Sequence, residues 1–132
     1  MPHKADFILL IDDDEATRFL HRIMAEEAGL SYQIKEAEGA QSGLAKLKNI
    51  KDHNPKAKGI VFLDINMPVM DGWMFLDELR ADKNLDLNNV SIYMVSASDY
   101  PKDLDRIQNE PLVKGYVPKP LTAEKIRDCA KG

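Results

Sequence analysis

The chain has 132 residues, 44% hydrophobic and 30% charged, with a formal net charge of −4. That length fits one domain with a real core, and the composition excludes a disordered chain. The acidic balance argues against nucleic acid or an anionic membrane as main partner, the lone Cys129 excludes an intramolecular disulfide and fits the cytoplasm, and neither a membrane-span run nor a secretion-signal core is present.

Phe7-Ile8-Leu9-Leu10-Ile11 is an apolar run of strand length that stops at Asp12-Asp13-Asp14. Ala16, Phe19, Leu20, Ile23 and Met24 recur at helical spacing and predict a first helix with that face inward, ended by Gly29 at its C′ position. Tyr32 to Ala37 alternates like a strand. Ala40, Leu44 and Leu47 mark a second helix, and Asn54-Pro55 closes the linker after it. Gly59-Ile60-Val61-Phe62-Leu63 is a second run of the doubly buried type, and it ends at Asp64. Past Pro68 and Gly72, a third helix carries Phe75, Leu76 and Leu79, with Asp71-Gly72 as turn chemistry before it. Val90 to Val95 is a fourth strand, Lys102 to Asn109 a fourth helix, and Gly115-Tyr116-Val117 a short fifth strand. Thr122 suits the N-cap of a last helix through Ile126 and Cys129, with Leu121 packing back on the core.

Strands alternating with helices point to an α/β fold: a five-stranded parallel sheet flanked by five helices. In such sheets the ligand site lies beyond the carboxyl ends of the strands, at the switch point. In the order 2-1-3-4-5 that point falls between strands one and three, the two that end in Asp.

Four features therefore share one edge: Asp12-Asp13, Asp64, Ser96-Ala97 and Lys119-Pro120. Three converging carboxylates repel one another, and a hard divalent ion such as Mg²⁺ relieves that. A Lys and a hydroxyl on neighbouring strands complete a site for a phosphoryl group. No glycine-rich phosphate cradle accompanies them, which argues against a nucleotide ligand.

These elements, in this order, together with the block Asp64-Ile65-Asn66-Met67-Pro68-Val69-Met70-Asp71-Gly72, resemble the receiver domain of two-component response regulators, similar to the chemotaxis receiver. The resemblance runs from about Asp6 to Lys131. It implies a flavodoxin-like fold, with residues 1–5 as a tail and 6–132 as a single receiver domain. Asp64 would be the phosphoacceptor. Asp13 would bind Mg²⁺ directly with Asp12 assisting, and Asp64 and the backbone carbonyl of Asn66 would complete the metal ligands. Ser96 and the Ala97 N–H would bind the phosphoryl group, Lys119 would pair with it, and the Lys119–Pro120 bond would be cis. Tyr116 matches the aromatic switch position on strand five. Asn66 and Ser98 sit where the family tunes phosphate lifetime. Ser96 replaces the commoner Thr, and Pro118 is less usual.

The same resemblance implies a sensor histidine kinase or a His-containing phosphotransfer protein as phosphoryl source. A downstream protein would read the state on the face of helix four, strand five and helix five, with a phosphorylation-dependent dimer as a further possibility. It implies neither a nucleic acid nor a membrane partner, and catalysis only of the domain's own phosphorylation and dephosphorylation. Two other readings fit the residues less well. A Mg²⁺-dependent phosphatase or phosphotransferase of the haloacid-dehalogenase type wants a second Asp two residues after the nucleophile, where this chain has Asn66. A non-phosphorylated interaction domain would not need Asp12, Asp13, Asp64, Ser96 and Lys119 all intact. His21 lies on the first helix between expected core positions, and Cys129 is a packing residue with no basic neighbour in sequence.

Overall fold

The apolar runs become strands that pair side by side in one parallel sheet, in the order β2-β1-β3-β4-β5. In this computed structural model, which describes residues 5–97, 102 and 104–131 without the side chains of residues 31 and 32, the strands are β1 (Ala5–Ile11), β2 (Ser31–Ala37), β3 (Gly59–Asp64), β4 (Val90–Ser96) and β5 (Val113–Pro118). The helices between and after them are α1 (Glu15–Ala28), α2 (Ala40–His53), α3 (Gly72–Ala81), α4 (Leu104–Gln108) and α5 (Ala123–Lys131). Residues 1–4, with His3, and Ser98 lie outside the described residues. Ala5, placed by the sequence in the tail, is the first residue of β1; it is buried and donates its N–H to Leu30 O at 2.7 Å.

The alternation of strand side chains divides the core in two. Leu9, Val61 and Ile92 align across β1, β3 and β4 and belong to the face covered by α2, α3 and α4. Leu10, Phe62 and Tyr93 form the next row and belong to the face covered by α1 and α5. The Phe62 and Tyr93 rings stack there at 6.0 Å. Because β1 and β3 are covered on both faces, their runs are continuously apolar instead of alternating.

Helix ends follow local chemistry. The Asp14 carboxylate caps α1 by accepting the Thr17 N–H, and the α1 chain leaves through Gly29 at φ +69°. Asp71 caps α3 by accepting the Met74 N–H, and Thr122 caps α5 by accepting the Lys125 N–H. Gly72 is needed for closeness: a Cβ there would stand 3.0 Å from the Asp64 carbonyl oxygen and 3.1 Å from Ile65 Cα. Its absence lets α3 start directly against the end of β3.

The phase of α1 differs from the expected one. Phe19, Leu20 and Ile23 are 66%, 43% and 42% exposed, and Ala16 is exposed as well. The buried stripe is His21, Ala25 and Ala28, with Met24 packed partly against it. Both stripes have helical period, but they are rotated apart on the helix. Large apolar side chains suggested the inward face; small ones occupy it, and they let the helix lie close to the sheet and α5. Since the face is set by this packing, Phe19→Ala should change the urea unfolding free energy by less than about 0.5 kcal/mol. Leu76→Ala, in a fully buried α3 position, should cost about 2–5 kcal/mol in the same measurement.

Candidate functional site

Parallel pairing delivers the ends of β1, β3, β4 and β5 to one edge of the sheet. Asp12 follows β1, Asp64 ends β3, Ser96 ends β4, and Lys119 follows β5. Asp12, Asp64 and Ser96 are buried, while Asp13 is exposed at the rim. Carboxylate oxygens of Asp12, Asp13 and Asp64 all lie within 4.8 Å of one another. The Lys119 Nζ reaches into the cluster, 2.8 Å from Asp12 Oδ2 and 3.4 Å from Asp64 Oδ2.

The electrostatics follow from burial. Asp64 is pushed up to about 7, first by burial and next by the neighbouring Asp12 charge, with Lys119 and the Asn66 N–H opposing. Burial pulls the Lys119 ammonium down, but its hydrogen bonds and charge pairing with Asp12 and Asp64 outweigh that and hold it above its ordinary value. One ammonium faces three carboxylates, so negative charge is in excess. A hard divalent cation suits such an oxygen cluster.

The backbone around the cluster is also pinned. Asp12 donates its N–H to Ala37 O at 3.1 Å, and its carbonyl accepts from the Arg18 guanidinium at 2.7 Å. Arg18 in turn pairs with Glu36 at 3.6 Å. The Asn66 N–H donates to Asp64 Oδ1 at 3.3 Å, and Asn66 itself is exposed. Beyond it, the Met70 N–H donates to the Pro68 carbonyl at 2.8 Å across Val69, whose φ is +69°. This is the three-residue γ-turn that costs a β-branched residue strain.

Ser96 joins Lys119 through the backbone: the Lys119 N–H donates to Ser96 O at 2.7 Å. The Lys119–Pro120 bond is cis. Ala97 is exposed immediately after Ser96. Tyr116 lies opposite Met94 in the β4–β5 register and packs half-buried against the α2–α4 side of the core. The structure thus brings Asp12, Asp13, Asp64, Ser96 and Lys119 to one edge. Sequence reasoning missed Arg18, His21 and Lys125, which hold that edge together from other elements. No local pattern signals them, since His21 meets the Lys119 turn across a separation of 100 residues.

A family model described as the response regulator receiver domain matches residues 8–131.

The chain belongs to the response regulator receiver family.

Among similar proteins, a sensor histidine kinase CheAY of Helicobacter pylori is 32% identical over 131 residues, covering 96% of this receiver and 15% of that protein. The transcriptional regulatory protein PrrA of Mycobacterium leprae is 32% identical over 120 residues, covering 88% of the receiver and 46% of PrrA. The receiver therefore spans less than half the length of these curated relatives. Among solved structures, a two-component response regulator from Cytophaga hutchinsonii superposes with a TM-score of 0.86 at 28% identity, covering 97% and 96% of the two chains. The Vibrio cholerae chemotaxis protein CheY4 shares the fold at TM-score 0.74 and 22% identity, covering 96% of the receiver and 97% of that chain. Among the described residues no helix is long and apolar enough to cross a membrane.

Because the folded pKa of Asp64 lies above its unfolded value, its ionisation opposes folding. The metal-free protein should lose stability through this group as pH rises from about 4 to about 7. Asp64→Asn should then raise the urea unfolding free energy at pH 8 by about 1–2 kcal/mol, with solvent screening at the cleft taken into account, and leave it nearly unchanged at pH 4. Val69→Gly should stabilise by about 1 kcal/mol in the same assay by relieving the γ-turn strain, net of the entropy that Gly loses.

Proposed function

We propose that this receiver is a Mg²⁺-dependent phosphorelay switch, phosphorylated on Asp64 by a sensor histidine kinase or a His-containing phosphotransfer protein in the cytoplasm. The observation that carries this reading is the convergence of three carboxylates with the Lys119 ammonium, hydrogen-bonded to Asp12 and 3.4 Å from Asp64. Asp12, Asp13 and Asp64, with the Asn66 carbonyl, would hold the ion, which when bound neutralises charge on the transferring phosphoryl group. The donor set fits it, being all oxygen and crowded with like charge.

Asp64 supplies the nucleophile. A carboxylate oxygen attacks phosphorus, an O–P bond forms, and the bond from phosphorus to the donor breaks with its electron pair leaving on the donor. Lys119 is already oriented at Asp64 and can follow the added charge. Ser96, at the end of the adjacent strand, offers a hydroxyl to the phosphoryl oxygens, and the Ala97 N–H a second donor. Phosphorylation adds close to two negative charges at a buried strand end.

Movement of Ser96 and Lys119 toward that charge is read out on α4, β5 and α5. A cavity lined by Leu104, Ile107, Val113 and Tyr116 supports that face as a partner site. Lys119 N–H and Ser96 O are bonded directly, so the two groups shift as one unit. The domain would catalyse only its own phosphorylation and dephosphorylation.

Incubation with acetyl phosphate and Mg²⁺ should add one phosphoryl group by intact-protein mass spectrometry. The adduct should be absent with chelator and in Asp64→Ala, and Lys119→Ala should weaken the coupling to the output face more than it weakens Mg²⁺ binding. If neither acetyl phosphate nor beryllofluoride modifies the wild-type protein in Mg²⁺, the phosphorylation reading fails.

A further inference from the structure

The turn that carries Lys119, residues 118–121, is poor in backbone donors, because Pro118 and Pro120 have no N–H. Its two remaining donors are both engaged. The Lys119 N–H goes to the Ser96 carbonyl at 2.7 Å, and the Leu121 N–H goes to Nε2 of His21 at 3.1 Å. Lys125 Nζ binds the carbonyls of Pro118 and Pro120, each at 2.9 Å. One side of the turn is therefore tied to β4, its carbonyls to α5, and its far end to α1 through a single imidazole.

His21 is 3% exposed and sits on the inward stripe of α1, ahead of Ala25 and Ala28. An imidazole nitrogen that accepts a hydrogen bond carries no proton, so the ring is the neutral Nδ1–H tautomer. Its setting favours that form. Burial, opposed by Asp12 and reinforced by Lys119 and Lys125, pushes the imidazole down to about 4. A leucine in this place would pack, but it would leave the buried Leu121 N–H without a partner.

We infer that His21 is a positioning residue for phosphoryl transfer: by accepting the Leu121 N–H it anchors the 118–121 turn to α1 and so holds the Lys119 ammonium on Asp12 and Asp64. This rests on the proposed aspartyl-phosphate reading for its functional consequence, but the anchoring itself does not. The proposed Mg²⁺ ligands lie at the ends of β1 and β3, and two of them, Asp12 and Asp64, are the carboxylates that Lys119 pairs with, so loss of the anchor should slow phosphoryl transfer without weakening ion binding.

The test compares wild type, His21→Leu and His21→Gln, the last keeping an acceptor at similar reach. Three quantities are read on the full chain: the rate of phosphorylation by acetyl phosphate, Mg²⁺ affinity by calorimetry, and amide hydrogen exchange by NMR in metal-free protein. His21→Leu should phosphorylate about tenfold more slowly with Mg²⁺ affinity no weaker than that of wild type, and its Lys119 and Leu121 amides should exchange about tenfold faster while Leu9 and Val61 stay protected. His21→Gln should recover most of both effects. Unchanged rate and unchanged exchange in His21→Leu would overturn the inference. Equal losses in both variants, with exchange raised across the whole sheet, would also overturn it by making His21 a packing residue only. A wild-type protein that takes no phosphoryl group would sink the aspartyl-phosphate reading instead, and the exchange data would still decide whether His21 anchors the turn.

Discussion

Two carboxylates, Asp12 and Asp64, are buried side by side at the edge of a sheet, and one ammonium reaches both of them. Left to themselves, like charges in that setting separate or take up protons. They cannot separate here, because each is fixed to the end of a core strand. β1 and β3 pair from Phe7–Gly59 to Ile11–Leu63, and the residues before each carboxylate are fully enclosed. Packing on both sheet faces thus supplies the force that holds the repulsion in place. Burial first, and the Asp12 charge next, raise the Asp64 carboxyl to about 7, and a cation or a proton at that oxygen relieves both.

The rest of the edge is arranged around this cluster. The third carboxylate of the Asp12-Asp13-Asp14 run is taken out of it: Asp14 turns to cap α1. Gly72 lets α3 begin against the backbone of Asp64 and Ile65, and the γ-turn at Val69 connects the two within a few residues. Arg18 braces the Asp12 carbonyl from α1, and Lys125 braces the Lys119 turn from α5. α1 and α5 lie together on one face of the sheet, and both send polar side chains to the site's backbone. Within this braced edge Ser96 and Lys119 are joined by a backbone hydrogen bond. Phosphate sensing and output coupling would begin at that pair.

The α1 helix shows where reading along the chain loses its hold. Its period and its terminating Gly29 agree with the structure. Its phase was not, because hydrophobicity ranks Phe19, Leu20 and Ile23 above His21, Ala25 and Ala28. The sheet and α5 come too close for the larger set, and a histidine is welcome inside only because a backbone N–H from a distant turn waits for it. Exposure of Phe19, Leu20 and Ile23 leaves an apolar surface on the same helix that starts beside Asp13. The shorter elements show a milder effect: β5 runs two residues earlier than Gly115, and α4 is described only over Leu104–Gln108. Strand pairing extends β5 beyond what its own residues suggest.

Sequence by itself determined β1 and β3 and their carboxyl ends, since continuous apolar runs that stop at Asp need only local reading. The order of acidic pair, Asp64 block, Ser96-Ala97 and Lys119-Pro120 was enough to indicate the family, as the match over residues 8–131 shows. Tertiary structure decided the rest: which side of α1 faces in, the 2.8 and 3.4 Å approaches of Lys119 to its two carboxylates, and the anchoring of its turn by His21 and Lys125. Those contacts join residues up to 107 positions apart. They depend on close packing between separate elements, and no residue pattern along a single element carries that information.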